Sequence, residues 1–264
     1  MRKYIETSKL LFKNQLVYRF DIIISMVFTV SKILLAFVLW GTIFGNQKVV
    51  VGFTFSAMLS YYVISSFITQ LDQSSNAGWQ ISTEIKNGSF SKYIIKPMSI
   101  LGYFTAQTFG ISAFLVVFNL LAASLWVLVF RIDFTFTSNL SLIAAALLLI
   151  LLGLLFMIQL NYYIGILAFR FVDTSVFMMI KDNIIQFLTG ALIPLTLLPA
   201  GIIKVMMVFP FYYISYLPSM LLIGRNGGEI VLGIVLLIGW NGAFWILNHF
   251  TFKKLIYKYE GVGM

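Results

Sequence analysis

The chain has 264 residues, of which 10% are charged and 60% hydrophobic, with a formal net charge of +9. A soluble domain carries about 25% charged residues, so a water-soluble fold is excluded, and continuous apolar runs exclude a β-barrel, whose strands alternate. The absence of cysteine and the presence of a single histidine, His249, exclude thiol catalysis and cysteine or multi-histidine metal centres.

The composition therefore predicts an all-α polytopic membrane protein, one transmembrane domain over 1–264. Residues 1–20 read as an amphipathic helix in the interface plane. Tyr4, Ile5, Ser8, Leu11, Phe12, Gln15 and Leu16 fall on one side, and Arg2, Glu6, Lys9 and Lys13 on the other. This basic start, broken by polar residues, is not a cleavable signal peptide.

Six spans follow, near 22–44, 50–71, 103–130, 139–168, 175–198 and 229–249. Lys32 lies inside the first. It either lines a translocation path or a subunit interface, or it snorkels or pairs structurally. Gln159, Asn161 and Gln186 lie in or near spans four and five, where a path or interhelical hydrogen bonds explain them equally well. Lys181-Asp182 reads as a local ion pair, and His249 as an interface residue.

Between spans two and three, residues 72–101 are polar and rich in turns. Residues 75–87 suit a short helix with Ser74, Ser75 or Asn76 as N-cap and Asn87-Gly88 as its stop. From pattern alone this is either a docking element or an ordinary loop. Residues 190–228 are apolar yet broken by Gly190, Pro194, Pro199 and Pro210. They fit two short re-entrant helices, with a kinked span and an external loop as the alternative.

Thirteen basic residues fall on the side of both termini and of residues 72–101, against Lys48, Arg131, Lys204 and Arg225 on the other. The bias places both termini in the cytoplasm. It also explains the positive charge through anionic lipid, with no need for nucleic acid.

Three stretches carry a resemblance: EIKNGSFSKYIIKPMS (84–99), TGALIPLTLLPAG (189–201) and YKYEGVGM (257–264). In this order, along nearly the whole chain, they are similar to the membrane subunits of ABC-2 type ABC exporters. The likeness is greatest to a branch with two unlike permeases and one ATPase. The resemblance implies a non-catalytic permease in a bacterial cell membrane. It also implies a partner ATPase, present as two nucleotide-binding domains that carry the ATP and magnesium, and a second permease, a different chain or another copy. It makes 72–101 the coupling segment, with Trp79, Gln80, Thr83, Glu84, Ile85, Lys86, Asn87 and Gly88 facing the ATPase. In agreement, the sequence has no G-x-x-x-x-G-K-[ST] phosphate cradle. A stand-alone secondary transporter or channel would call for intramembrane acids or internal repeats. An intramembrane enzyme would call for a nucleophile–base or metal cluster. Neither is present in the sequence.

Overall fold

The computed structural model describes residues 1–17, 19–130, 133–171, 173–190 and 194–259. Among them the chain is helical, with one isolated β-bridge and no strand. The helices are α1 (Arg2–Gln15), α2 (Arg19–Phe44), α3 (Phe55–Leu71), α4 (Ser74–Lys86), α5 (Ser91–Ile94) and α6 (Ile100–Phe130). They continue with α7 (Leu140–Ile166), α8 (Ser175–Leu188), α9 (Ala200–Met206), α10 (Leu217–Leu222) and α11 (Ile230–Leu255).

Three segments among the described residues are long and apolar enough to cross a membrane: Ile100–Leu121, Leu140–Phe169 and Gly227–Leu255. Two of the expected spans are shorter. The second begins only at Phe55, because positive φ at Gly45, Val51 and Gly52 and the Val50–Phe53 bridge make residues 45–53 a tight turn. Thr54 then caps the helix by accepting from the Ala57 N–H. At 17 residues α3 is about 25 Å long, short of the roughly 30 Å hydrocarbon core. The fifth ends at Leu188, not at 198, since Gly190 turns the chain at φ +71°.

The apolar centre lies between α3, α7, α11 and the segment leading into α10. Tyr61, Tyr212, Tyr213, Tyr216, Phe156 and Met58 fill it. A second cluster at the other end joins α4, the ends of α7 and α11, and the residues around Phe90.

The helix expected over 1–20 is present as α1, but it does not lie flat across the bundle. Tyr4 meets Ser99 and Gly102, Ser8 donates to the Ala106 carbonyl at 2.7 Å, and Phe12 meets Phe114 at 5.4 Å. The contacts advance together, so α1 runs lengthwise along α6. Gly102, Ala106 and Gly110 form a small-residue stripe that lets the two backbones approach. A Cβ on Gly102 would come 2.7 Å from the Tyr4 ring, and one on Gly110 would collide with the Ser8 carbonyl.

The expected hairpin over 190–228 consists of short pieces. A 3-10 turn (Leu195–Leu197), α9, a π-helical turn (Tyr212–Tyr216) and α10 follow one another. Pro194 and Pro199 each precede a helical turn, where a missing N–H costs nothing. Pro210 is buried, and its carbonyl accepts from the Tyr213 N–H at 3.0 Å. Ala191–Ile193 and the 260–264 end of the third motif lie outside the described residues.

Candidate functional site

The sequence of α4, SSNAGWQISTEIK, buries Ser74, Ala77, Gly78, Ile81, Ser82 and Ile85. These positions recur every three to four residues and form one face. That face lies on α7. A Cβ on Gly78 would stand 2.9 Å from the Asn161 carbonyl oxygen, and one on Gly165 would stand 3.0 Å from the Gly78 carbonyl. Two glycines therefore let the helices pack at backbone distance.

The helix begins one residue earlier than expected and is not capped by the predicted residues. Gln73 holds the N-cap position without a side-chain bond. Asp72 supplies the acceptor instead, taking the Ser74 N–H at 3.0 Å and the Ser74 hydroxyl. The stop is as read: Gly88 takes φ +71°. Gly88 N–H donates to the Ile85 carbonyl at 3.2 Å and Ser89 N–H to the Glu84 carbonyl at 3.0 Å. This pair of bonds is a Schellman ending.

Of the residues expected to meet a partner, Thr83, Lys86 and Asn87 are exposed and Trp79 is half-buried on the side away from α7. The Trp79 and Thr83 side chains make no hydrogen bond, ion pair or ring contact among the described residues. Gln80 turns inward, donating to the Tyr93 hydroxyl at 2.9 Å and accepting from Gln107 at 2.7 Å. Ile85 and Gly88 are buried in the chain's own packing. Glu84 pairs with Lys92 and accepts from the Ser89 hydroxyl, which fixes the re-entry segment to the helix end. Burial pushes the Glu84 carboxyl up, but Lys92 and Ser89 outweigh it and hold it below its usual value.

At the first turn of α4 lies a polar joint. Asn161 on α7, fully buried, donates to the Ser74 hydroxyl at 2.7 Å. Lys181 on α8 donates to Asn161 Oδ1 at 2.5 Å and pairs with Asp182 at 2.5 Å. The Lys181 side chain is only 8% exposed. Asp182 in turn accepts from the Ser75 hydroxyl at 3.2 Å. Burial raises the Asp72 carboxyl above its usual range, against the Ser74 bonds and the Lys181 charge.

Towards the other end of α4, the Ser82 hydroxyl meets that of Thr174 at 2.5 Å, and Lys86 pairs with Asp173 at 2.8 Å. The bond from Lys86, with help from Ser175, holds the Asp173 carboxyl well below the carboxylate range. Thus α4 is fastened along its length to α8 and the residues before it, the two running antiparallel.

The re-entry segment carries a third connection. Phe90 is buried against Phe169 at 5.3 Å and Tyr259 at 6.0 Å, and the Tyr259 hydroxyl accepts from the Ser91 N–H at 3.1 Å. The first and third sequence motifs therefore meet in space.

The expected path residues separate. Asn161 belongs to the joint under α4, where it is fully buried. Gln159 lies in a seam with α11, its side-chain amide donating to Asn241 at 2.7 Å while its backbone carbonyl accepts from Asn248 at 3.0 Å. Gln186 is exposed on α8. The Lys32 side chain lies outside the described residues. Gly190 accepts the buried Tyr61 hydroxyl at 2.8 Å. Sequence reasoning missed Asp72, Thr174 and the Gly78–Gly165 contact; the two glycines, each in a helix interior, were the available signal.

No curated protein and no solved structure matches the chain. A family model described as ABC-2 family transporter protein matches residues 30–263, which takes in α4, the joint and α11. The chain therefore belongs to the ABC-2 family of transporter proteins, as a membrane transport component.

Proposed function

We propose that the chain is the permease subunit of an ATP-driven exporter and that α4 is the element through which a separate ATPase moves it. One observation carries the reading. α4 is clamped to α7, α8 and the residues just before α8 by one face and by Lys86, while Trp79, Thr83 and Asn87 form a stripe on the other. A helix fixed to two others transmits displacement instead of absorbing it, and an aromatic flanked by polar groups is a suitable anchor for a cleft.

In this reading the ATPase contributes two nucleotide-binding domains, with ATP and magnesium bound there. A second permease, of a different or the same sequence, completes the path, and the chain crosses a bacterial cell membrane six times with both termini in the cytoplasm. The cargo is an amphipathic or hydrophobic compound: a drug, a peptide or a lipid-like molecule. A stand-alone transporter or channel is the competing reading. Purification of the chain from its native membrane separates the two. A stable complex with an ATPase, whose hydrolysis changes when this chain is removed, supports coupling. An active oligomer of this chain alone refutes it.

A further inference from the structure

A groove of about 570 Å³ lies between α1, α6, α7 and α11. Its walls are mainly apolar: Ile5, Leu101, Phe109, Leu155 and Trp245, with Thr105 among them. The hydroxyls that line it are already engaged. Ser8 donates to Ala106, Thr105 donates to the Leu101 carbonyl at 2.8 Å, and Tyr4 and Ser99 share a bond. Gln159 also lines the groove, its side-chain oxygen without a partner, but the rest of the wall sets few competing polar groups against an alkyl chain. From Leu101 to Phe109 the α6 wall rises about 12 Å, close to the depth of one hydrocarbon leaflet. Ile5 and Trp245 stay 53% and 59% exposed, so the groove is open on the side the helices present to lipid.

The groove ends among basic side chains. On α11 the His249 ring stacks on Trp245 with centroids 6.1 Å apart, and Lys253 follows on the same face one turn further on. On α1, Lys3 lies beside Tyr4, its ammonium 5.7 Å from the ring centre, and bonds to the Pro97 carbonyl. The nearest acid on that helix, Glu6, is paired with Lys9. The last carbonyls of α11 disfavour an anion, so one bound here depends on Lys253.

We propose that this groove is a binding site for an anionic phospholipid of the adjoining leaflet. One acyl chain fills the groove, and the phosphate lies against Lys253, His249 and Lys3. A lipid seated there would brace α1 against α11.

The test is native mass spectrometry of the full chain extracted from its membrane, titrated with dioleoyl phosphatidylglycerol or dioleoyl phosphatidylcholine. Retention of the phosphatidylglycerol adduct should exceed that of phosphatidylcholine about fivefold or more, the value of one basic residue at an anionic surface. K253S should remove most of that preference. K254S, on the neighbouring face of the same helix, should keep it. T105F should lower retention of both lipids by filling the groove. Equal retention of the two lipids by the unmodified chain overturns the proposal. So does an equal loss in K253S and K254S, which marks diffuse surface attraction, or T105F retention at the unmodified level.

Discussion

The ammonium group of Lys181 lies 2.5 Å from Asn161 Oδ1, directly beneath the first turn of α4. A cation that is 92% covered is tolerated only with partners, and here it has three, the Asn161 amide, the Asp182 carboxylate and, at 3.4 Å, the Ser75 hydroxyl. Through Asn161 it also orients the amide that donates to Ser74, so one lysine on α8 positions the start of α4. Replacing it with methionine keeps the stem and removes the charge. Lys181→Met should destabilise the chain by about 1–3 kcal/mol, the cost of leaving a buried acceptor unpaired. Lys181→Arg should recover part of it. Thermal unfolding of the purified chain measures both.

Asp72, at the other end of the joint, has the opposite sign. The folded chain holds the Asp72 proton more tightly than the unfolded chain does, because burial raises its carboxyl. Protonation therefore favours folding, and the ionised group costs stability at neutral pH. Asp72→Asn, which can still accept from Ser74, should raise the unfolding temperature at pH 7. The gain should shrink as pH falls through the folded value towards the unfolded one near about 4, where wild-type Asp72 is also neutral. A gain that grows on acidification contradicts this assignment.

The packing of α4 on α7 rests on Gly78 and Gly165. Gly78→Ala would set its methyl 2.9 Å from the Asn161 carbonyl oxygen and 3.0 Å from Met178. Backbone cannot yield as a flexible side chain does, so the helices must part, at a cost of about 1–3 kcal/mol. Gly41 in α2 provides the contrast, since a Cβ there meets nothing within 4 Å. Gly41→Ala should be neutral or stabilise by up to about 1 kcal/mol through helix propensity. Equal effects of the two changes would remove the argument for a close contact.

Composition and periodicity made the helical membrane class, the stop of α4 at Gly88 and the broken helices of 190–228 legible, because each depends on local chemistry. The lengthwise packing of α1 was not, since it depends on a stripe of small residues in α6 that carries no meaning until a partner helix is placed on it. For the same reason Asn161 stayed open between a path and an interhelical bond: a buried amide and a channel-lining amide are the same residue type in an apolar run. Its partners Ser74 and Lys181 lie 87 and 20 residues away, and sequence spacing does not report such contacts. The inward turn of Gln80 and Ile85 within a segment expected to face outward follows from helix geometry. On a helix that packs against a neighbour, about half of the positions are spent holding it in place.

Trp79 tests the proposed coupling role most directly. Its side chain points away from α7 and makes no hydrogen bond or ring contact among the described residues, unlike Glu84, whose carboxylate secures Lys92 and Ser89. Trp79→Ala should leave the unfolding temperature nearly unchanged while weakening ATPase binding by about 2 kcal/mol, roughly 30-fold, as loss of an interface aromatic does. Glu84→Ala should lower both, because it releases the re-entry segment as well as altering the outer face. Co-purification of the ATPase with each variant, measured beside thermal unfolding, separates the effects. If Trp79→Ala loses stability but keeps its ATPase, the indole serves the chain's own packing and α4 docks through other residues. If both variants retain full ATPase binding and transport, α4 is not the coupling element.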